Sequence, residues 1–282
     1  MDQSIAISES SAFAESGSGL RVYYRCWRPG IAPRATLTIV PGFNSHSGYY
    51  EQVGRELAAL GVVVYALDLR GRGRSDGERF YVETFDDYVA DVSLITAIVA
   101  ERDGSLPHFL LGHSAGGVVS CLYALAHGES LAGFICESFA FELPAPDFAL
   151  SVLKGLSHLA PHAHVLALKN ADFSRDPEKV AAMNSDPLIA HETQPTRTLA
   201  AIVRADQRLR REFSKITVPL LILHGTEDRA AKPEGSKFFD AHAGSADRTL
   251  KLYDGYYHDL LNDKGGEQVL DDIAGWLLQR SN

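Results

Sequence analysis

The sequence predicts an α/β fold: a mostly parallel β-sheet with helices on both faces, and a helical segment inserted between two of its strands. Two observations carry this expectation. Nearly continuous apolar runs of strand length alternate with helical patterns along the 282-residue chain, and the alternation lapses between about residue 140 and residue 215. Strands buried on both faces read as unbroken apolar runs, which is the mark of a parallel sheet covered by its own crossover helices.

The elements follow in order. Residues around 10–14 and the run LRVYYRCW (20–27) flank Gly17-Ser18-Gly19, a turn that pairs the two runs as an antiparallel hairpin at the sheet edge. The core strands are ATLTIV (35–40), VVVYALD (62–68), HFLL (108–111), LAGFIC (131–136), PLLIL (219–223) and TLKLY (249–253), all rich in β-branched and aliphatic residues. Between them, EQVGRELAAL runs as a helix to Gly61, TFDDYVADVSLITAIVAERDG opens a helix at Thr84, and AGGVVSCLYALAHG starts one directly after Ser114. In the lapse lie FALSVLKGLSHLAPH, a polar stretch and TLAAIVRADQRLRREF, none with the pattern of a strand. The organisation that results is a core of residues 1–139 and 214–282, interrupted by a helical cap of residues 140–213. No fixed-period repeat or low-complexity tract is present.

Composition excludes several classes. A content of 45% hydrophobic and 22% charged residues is that of an ordinary globular protein with a sizeable core. The net charge of -9 repels phosphate backbones and anionic lipid, which argues against nucleic acid and favours a neutral small-molecule substrate. The opening residues lack a cationic start followed by an apolar run, so no secretory signal is expected, and no transmembrane run follows. Cys26, Cys121 and Cys136 lie inside apolar segments without C-x-x-C spacing and read as reduced core residues. Together these features point to the cytoplasm.

The chemistry centres on LLGHSAGG (110–117), where Gly112, Ser114 and Gly116 form a G-x-S-x-G string. Alone the string is common. Here it sits between a strand and a helix, the setting in which a sharp turn exposes a nucleophilic serine rather than one that merely caps a helix. Such a serine needs a base, and the base needs a group to hold its tautomer, all on loops after strand C-termini. Asp228 follows the strand LLIL, and His258 follows TLKLY. Glu137, at the end of LAGFICE, is a second carboxylate at a strand end, so it stands as an alternative acid, or as pocket lining or an ion-pair partner.

In the order Ser114, Asp228, His258 the sequence resembles the α/β-hydrolase superfamily, and within it the monoacylglycerol lipase and lysophospholipase-like group of capped serine hydrolases. The likeness spans nearly the whole chain, through PGFNSHSGYY, DLRGRGRSDGERF, GHSAGG, SRDPE, NSDPL, HGTEDRAA and YYHDLLND. It implies that Ser114 is the nucleophile, His258 the general base and acid, and Asp228 the orienting carboxylate. The backbone N–H of Ala115, just after the nucleophile, is one expected oxyanion-hole donor. By resemblance the second is that of Phe43. The chain departs from the group at this loop: where HG-x-x-E-H-S-G is usual, Pro41-Gly42-Phe43-Asn44-Ser45-His46-Ser47-Gly48 keeps the glycine and loses the leading histidine and internal glutamate.

Other strings carry less. His158, His162 and His164 cluster in the insertion, but Pro161 interrupts their helical spacing and no diagnostic ligand follows, so no metal is expected. DLRGRGRSDG is a poor dinucleotide fingerprint, since no apolar helix start follows it; the resemblance makes it a loop beside the active site. Tyr256 and Tyr257 read as packing.

The expected reaction is acyl transfer to water through an acyl-enzyme on Ser114, which requires no cofactor. Phe148, Leu150, Val152, Leu153, Leu156 and Leu159 form an apolar stripe in the insertion, and Phe148, Val152, Leu153 and Leu156 are the candidate substrate-binding residues. The resemblance then implies monoacylglycerols or lysophospholipids as acyl-ester substrates. The alternatives are a peptidase, amidase or thioesterase of the same fold, or a catalytically silent ligand-binding protein.

Overall fold

A computed structural model describes residues 6–17, 19–141, 153 and 155–281. The core is an eight-stranded sheet. In chain order its strands are β1 (Ile7–Glu15), β2 (Arg21–Pro29), β3 (Ala35–Val40), β4 (Val62–Leu67), β5 (His108–His113), β6 (Gly133–Glu137), then β9 (Leu220–Gly225) and β10 (Arg248–Tyr253), with two further strands between β6 and β9. They lie in the order β1-β2-β4-β3-β5-β6-β9-β10. The β1–β2 hairpin occupies one edge as an antiparallel pair, β2 runs antiparallel to β4, and every later pairing is parallel.

Helices cover both faces. Helix α1 (Glu51–Ala59) and the last helix, α7 (Gly266–Gln279), enclose one apolar cluster with Trp27, Leu37, Phe109 and Leu223. Helices α2 (Phe85–Asp103) and α3 (Ala115–His127) enclose the other, with Tyr65, Leu110, Phe134 and Ile222. Helix α2 starts where the sequence places it: the Thr84 and Asp87 side chains bond reciprocally to each other's backbone N–H groups, satisfying two donors that no helix can satisfy internally. The three cysteines are buried and free.

Between β6 and β9 the described chain holds β7 (His164–Ala167), α4 (Pro177–Ser185), β8 (Thr193–Pro195) and α5 (Thr196–Glu212), followed by α6 (Pro233–His242) after β9. The expectation that this region contains no strand is corrected: β7 and β8 pair antiparallel as a small separate sheet. They are only four and three residues long, and β7 is mostly exposed, so neither carries an apolar periodicity to read. A side-chain contact across the pair, His164 Nδ1 to Thr193 Oγ1 at 2.7 Å, adds to the backbone pairing, and just beyond the strands Thr196 Oγ1 donates to the Ala160 carbonyl at 2.5 Å. Helix α5 is part of the main core, since Ala201, Ile202, Ala205 and Leu209 join the α2–α3 cluster. Among the described residues no helix is long and apolar enough to cross a membrane.

Because parallel strands all end on the same side of a sheet, the segments that follow β3, β5, β6, β9 and β10 converge on one rim. That rim is where the candidate residues meet.

Candidate active site

Ser114 lies between the last residue of β5 and the first of α3, with φ 56° and ψ −122°. An L-residue held there is strained, typically by about 1–3 kcal/mol, and persists only where the surroundings enforce it. The enforcement is steric. A Cβ on Gly116 would stand 2.1 Å from the Val40 carbonyl oxygen, and one on Gly42 would stand 2.7 Å from Ser114 Cβ. Both glycines let backbone run against backbone, so the turn projects the serine hydroxyl out of the rim.

His258 and Asp228 reach that hydroxyl from the loops after β10 and β9. His258 Nε2 is 2.7 Å from Ser114 Oγ, and His258 Nδ1 is 2.7 Å from Asp228 Oδ2. With the carboxylate accepting from Nδ1–H, Nε2 is left as an acceptor facing the serine hydroxyl, the tautomer a general base requires.

Asp228 is held as an anion. Its Oδ1 accepts from the N–H groups of Ala230 and Ala231 at 2.8 and 2.9 Å, while Oδ2 also faces His224 Nε2 at 3.0 Å. Burial pushes the carboxyl pKa up, but the charge of His258 and the hydrogen bonds from His224 and His258 outweigh it and hold it below the ordinary range. Sequence reasoning missed His224. Fully buried, it places Nδ1 2.7 Å from Ser236 Oγ and turns Nε2 toward the acid. The signal was the H-G-x-x-D spacing in HGTEDRAA, which sets His224 and Asp228 four residues apart across the end of β9.

Two more residues flank the histidine. His113 sets its ring 5.0 Å from that of His258, and burial lowers its pKa to about 4, so it is a neutral packing partner. Phe173, from the segment between β7 and α4, packs edge-on at 4.9 Å. Its carbonyl accepts from the Asp259 N–H at 2.8 Å, and the adjoining Arg175 binds Asp263 through Nε at 2.8 Å. The loop bearing His258 is therefore gripped by the insertion, an arrangement with no counterpart in the local sequence around His258.

The loop after β3 carries Phe43, buried beside the rim. It is supported without the histidine and glutamate usual in the group. Asp68 Oδ1 accepts the Ser47 N–H at 2.7 Å, and His46 Nδ1 accepts the Gly48 N–H at 3.0 Å. Three ties run to the insertion: Asn44 Nδ2 to Asn170 Oδ1 at 2.9 Å, and His46 Nε2 and Tyr49 Oη to Asp186 Oδ2, each at 2.8 Å. Ala115 is the first residue of α3, so its N–H has no carbonyl one turn earlier in the helix.

The remaining sequence candidates fall elsewhere. Glu137 ends β6 with a fully buried side chain, and its Oε1 accepts the Leu261 N–H at 3.3 Å. Of the four apolar insertion residues, Phe148 and Val152 lie outside the described residues; Leu153 is half-buried and Leu156 is exposed. The insertion histidines do not converge: His162 pairs with Glu78 at 2.7 Å, and His164 with Thr193. Tyr256 donates to the Gly265 carbonyl at 3.2 Å, in keeping with a packing role.

Comparisons with known proteins agree along the length of the chain. The profile of the family described as serine aminopeptidase, S33, matches residues 31–265. The monoacylglycerol lipase of Mycolicibacterium smegmatis is 33% identical over 269 residues, covering 95% of this chain and 96% of that protein. The monoglyceride lipase of Homo sapiens is 32% identical over 271 residues, covering 94% and 89%. Among solved structures, the Paleococcus ferrophilus monoacylglycerol lipase superposes with a TM-score of 0.80 at 26% identity, covering 98% of this chain and all of that one.

Proposed function

This chain belongs to the serine aminopeptidase S33 family of α/β-hydrolases, and from that premise we propose that it is a serine ester hydrolase cleaving monoacylglycerol-like esters through an acyl-enzyme on Ser114. The observation that carries the proposal is the continuous hydrogen-bonded chain from Ser114 Oγ through His258 to Asp228, with both links at 2.7 Å.

The steps follow from that geometry. As Ser114 Oγ attacks the ester carbonyl, its proton passes to His258 Nε2, and Asp228 stabilises the imidazolium that forms. The oxyanion of the tetrahedral intermediate takes hydrogen bonds from the N–H groups of Ala115 and Phe43, each typically worth about 10²–10³ in turnover. His258 then returns the proton to the departing alkoxide, which leaves as the alcohol. Water, deprotonated by the same histidine, attacks the acyl-enzyme; the bond from Ser114 Oγ to the acyl carbon then breaks, His258 returns the proton to Oγ, and the fatty acid leaves.

Residues 140–213 act as a cap in this proposal, with Phe148, Val152, Leu153 and Leu156 offering apolar surface to the acyl chain. The cap's grip on the His258 loop through Phe173 and Arg175, and on the Phe43 loop through Asn170 and Asp186, supports this placement. Peptide hydrolysis is the second reading, favoured by the description of the family itself.

A hydrolysis panel decides between them: monoacylglycerols of graded chain length against aminoacyl amides, with Ser114→Ala alongside. Release of fatty acid rising with chain length, and abolished in Ser114→Ala, is expected. Faster cleavage of the amides, or undiminished ester hydrolysis by Ser114→Ala, overturns the proposal.

A further inference from the structure

The loop after β4 carries three arginines in DLRGRGRS, and one of them is fully buried. Arg72 Nη2 donates to Gln194 Oε1 at 2.9 Å and Nε to Tyr88 Oη at 3.2 Å, while Nη1 pairs with the buried carboxylate of Glu192. Gln194 in turn donates to Glu192 Oε1 at 2.7 Å. The guanidinium lies over the Phe43 ring, with Cζ 4.2 Å from its centroid. One side chain thus touches three parts of the molecule: α2 through Tyr88, the insertion at β8 through Glu192 and Gln194, and the loop after β3 through Phe43.

A buried ion pair contributes little net stability compared with apolar residues of similar volume, and its best-attested use is to fix one arrangement among several. The arrangement fixed here is that of the insertion against residue 43. Lysine would serve poorly, because only a planar guanidinium presents a donor fork at its edge and a flat face for stacking at once. The opposite flank of the same loop is already tied to the insertion through Asn44, His46 and Tyr49. Arg72 completes the clamp from the side of the aromatic ring.

We propose that Arg72 is a positioning residue for the oxyanion hole: it transmits the seating of the insertion, through Glu192 and Gln194, to Phe43 and so to the backbone N–H of that residue. The proposal rests on the assignment of Phe43 and Ser114 made above. Since the oxyanion forms only as the reaction proceeds, displacing one donor lowers kcat and leaves KM nearly unchanged.

The test compares Arg72→Lys and the double variant Arg72→Met/Glu192→Leu with the unmodified protein and with Ser114→Ala. The readouts are kcat and KM on p-nitrophenyl butyrate, affinity for an alkyl boronic acid that mimics the tetrahedral intermediate, and Tm. The double variant replaces the ion pair by apolar contacts and keeps its Tm within about 5 °C. Its kcat is expected to fall roughly tenfold or more, with KM within about twofold and boronate affinity reduced by the same factor as kcat. Arg72→Lys, which keeps the charge without the fork and the stack, lies between.

Wild-type kcat in the double variant means that Arg72 only secures the insertion, and overturns the proposal. A loss of kcat without a matching loss of boronate affinity overturns it equally, since Arg72 then acts away from the oxyanion. If the double variant does not fold, Arg72→Lys decides alone: kcat and boronate affinity within about twofold of wild type overturn the proposal, and a parallel loss supports it. Ester hydrolysis surviving in Ser114→Ala marks the separate failure of the underlying assignment.

Discussion

Two carboxylates stand at the ends of neighbouring strands, and the fold treats them in opposite ways. Asp228 follows β9 and Glu137 closes β6; both side chains are fully buried. Asp228 faces four donors, the N–H groups of Ala230 and Ala231 and the rings of His224 and His258. Glu137 meets the Leu261 N–H at 3.3 Å, and among the described residues its Oε2 has no partner. One polar side-chain atom of each of Glu137, His113 and Asp259 lies within 4.8 Å of the other two. Burial and the adjacent Asp259 push the Glu137 pKa well above the usual carboxylate range, whereas that of Asp228 is held below it. Position at a strand end nominates an acid; the donors around it decide whether it is an anion at neutral pH.

The sharpest way to break this contrast is to neutralise Asp228. Asp228→Asn preserves shape but no longer favours the Nδ1–H tautomer of His258, so the nitrogen facing Ser114 carries the proton and stops accepting one. The kcat for ester hydrolysis is expected to fall about 10⁴-fold in steady-state kinetics. A loss below tenfold, with a large loss in Glu137→Gln, would reverse the roles assigned to the two acids.

A smaller effect is expected at His224, which distinguishes the surroundings of the two carboxylates. Removing its donor in His224→Leu concentrates charge on Asp228 Oδ2 and leaves that oxygen short of a partner. Asp228 is then free to turn away from His258 Nδ1, and the imidazole is held less well in the orientation that faces Ser114. Activity at neutral pH is expected to drop roughly tenfold, the equivalent of about 1.4 kcal/mol. His224→Gln, whose amide N–H reaches close to the position of Nε2, should recover most of that loss. Activity of His224→Leu within about twofold of wild type would mean that the imidazole only fills space.

How much of this was legible in the sequence follows the same division. Apolar runs fixed by burial on both faces announced β3 to β6 and β9, and the convergence of parallel strand ends drew attention to Ser114, Asp228 and His258 without any knowledge of distance. Glu137 stayed an open alternative for the same reason, because strand ends alone do not reveal donors. His224 and Phe173 were not found. The first becomes relevant only when β9 turns its side chain to the side of Asp228, and the second arrives from a segment some 85 residues before His258 in the chain. The strands β7 and β8 were invisible because runs of four and three residues are too short to show an apolar pattern. Contacts dictated by backbone topology can be read along the chain, whereas contacts made by long polar side chains across the rim, such as Arg72 to Glu192, cannot.

The smallest effect on activity, and the most specific for the contrast, is expected at Glu137 itself. With its pKa raised by burial and by Asp259, Glu137 holds its proton to higher pH in the folded protein than in the unfolded chain, which releases it above the ordinary value of 4.5. The folded state then binds more protons than the unfolded one, so this group costs stability as pH rises from 4.5 toward the raised folded value. Glu137→Gln is nearly isosteric with the neutral acid and cannot ionise. Its kcat should stay within about twofold of wild type, while its Tm relative to wild type should climb between pH 5 and pH 8 as the wild-type cost grows. Thermal melts at intervals across that range read the slope directly. A Tm difference that does not change with pH would mean that Glu137 is already an anion in the folded protein, and the donors around a buried carboxylate would then not be what separates it from Asp228.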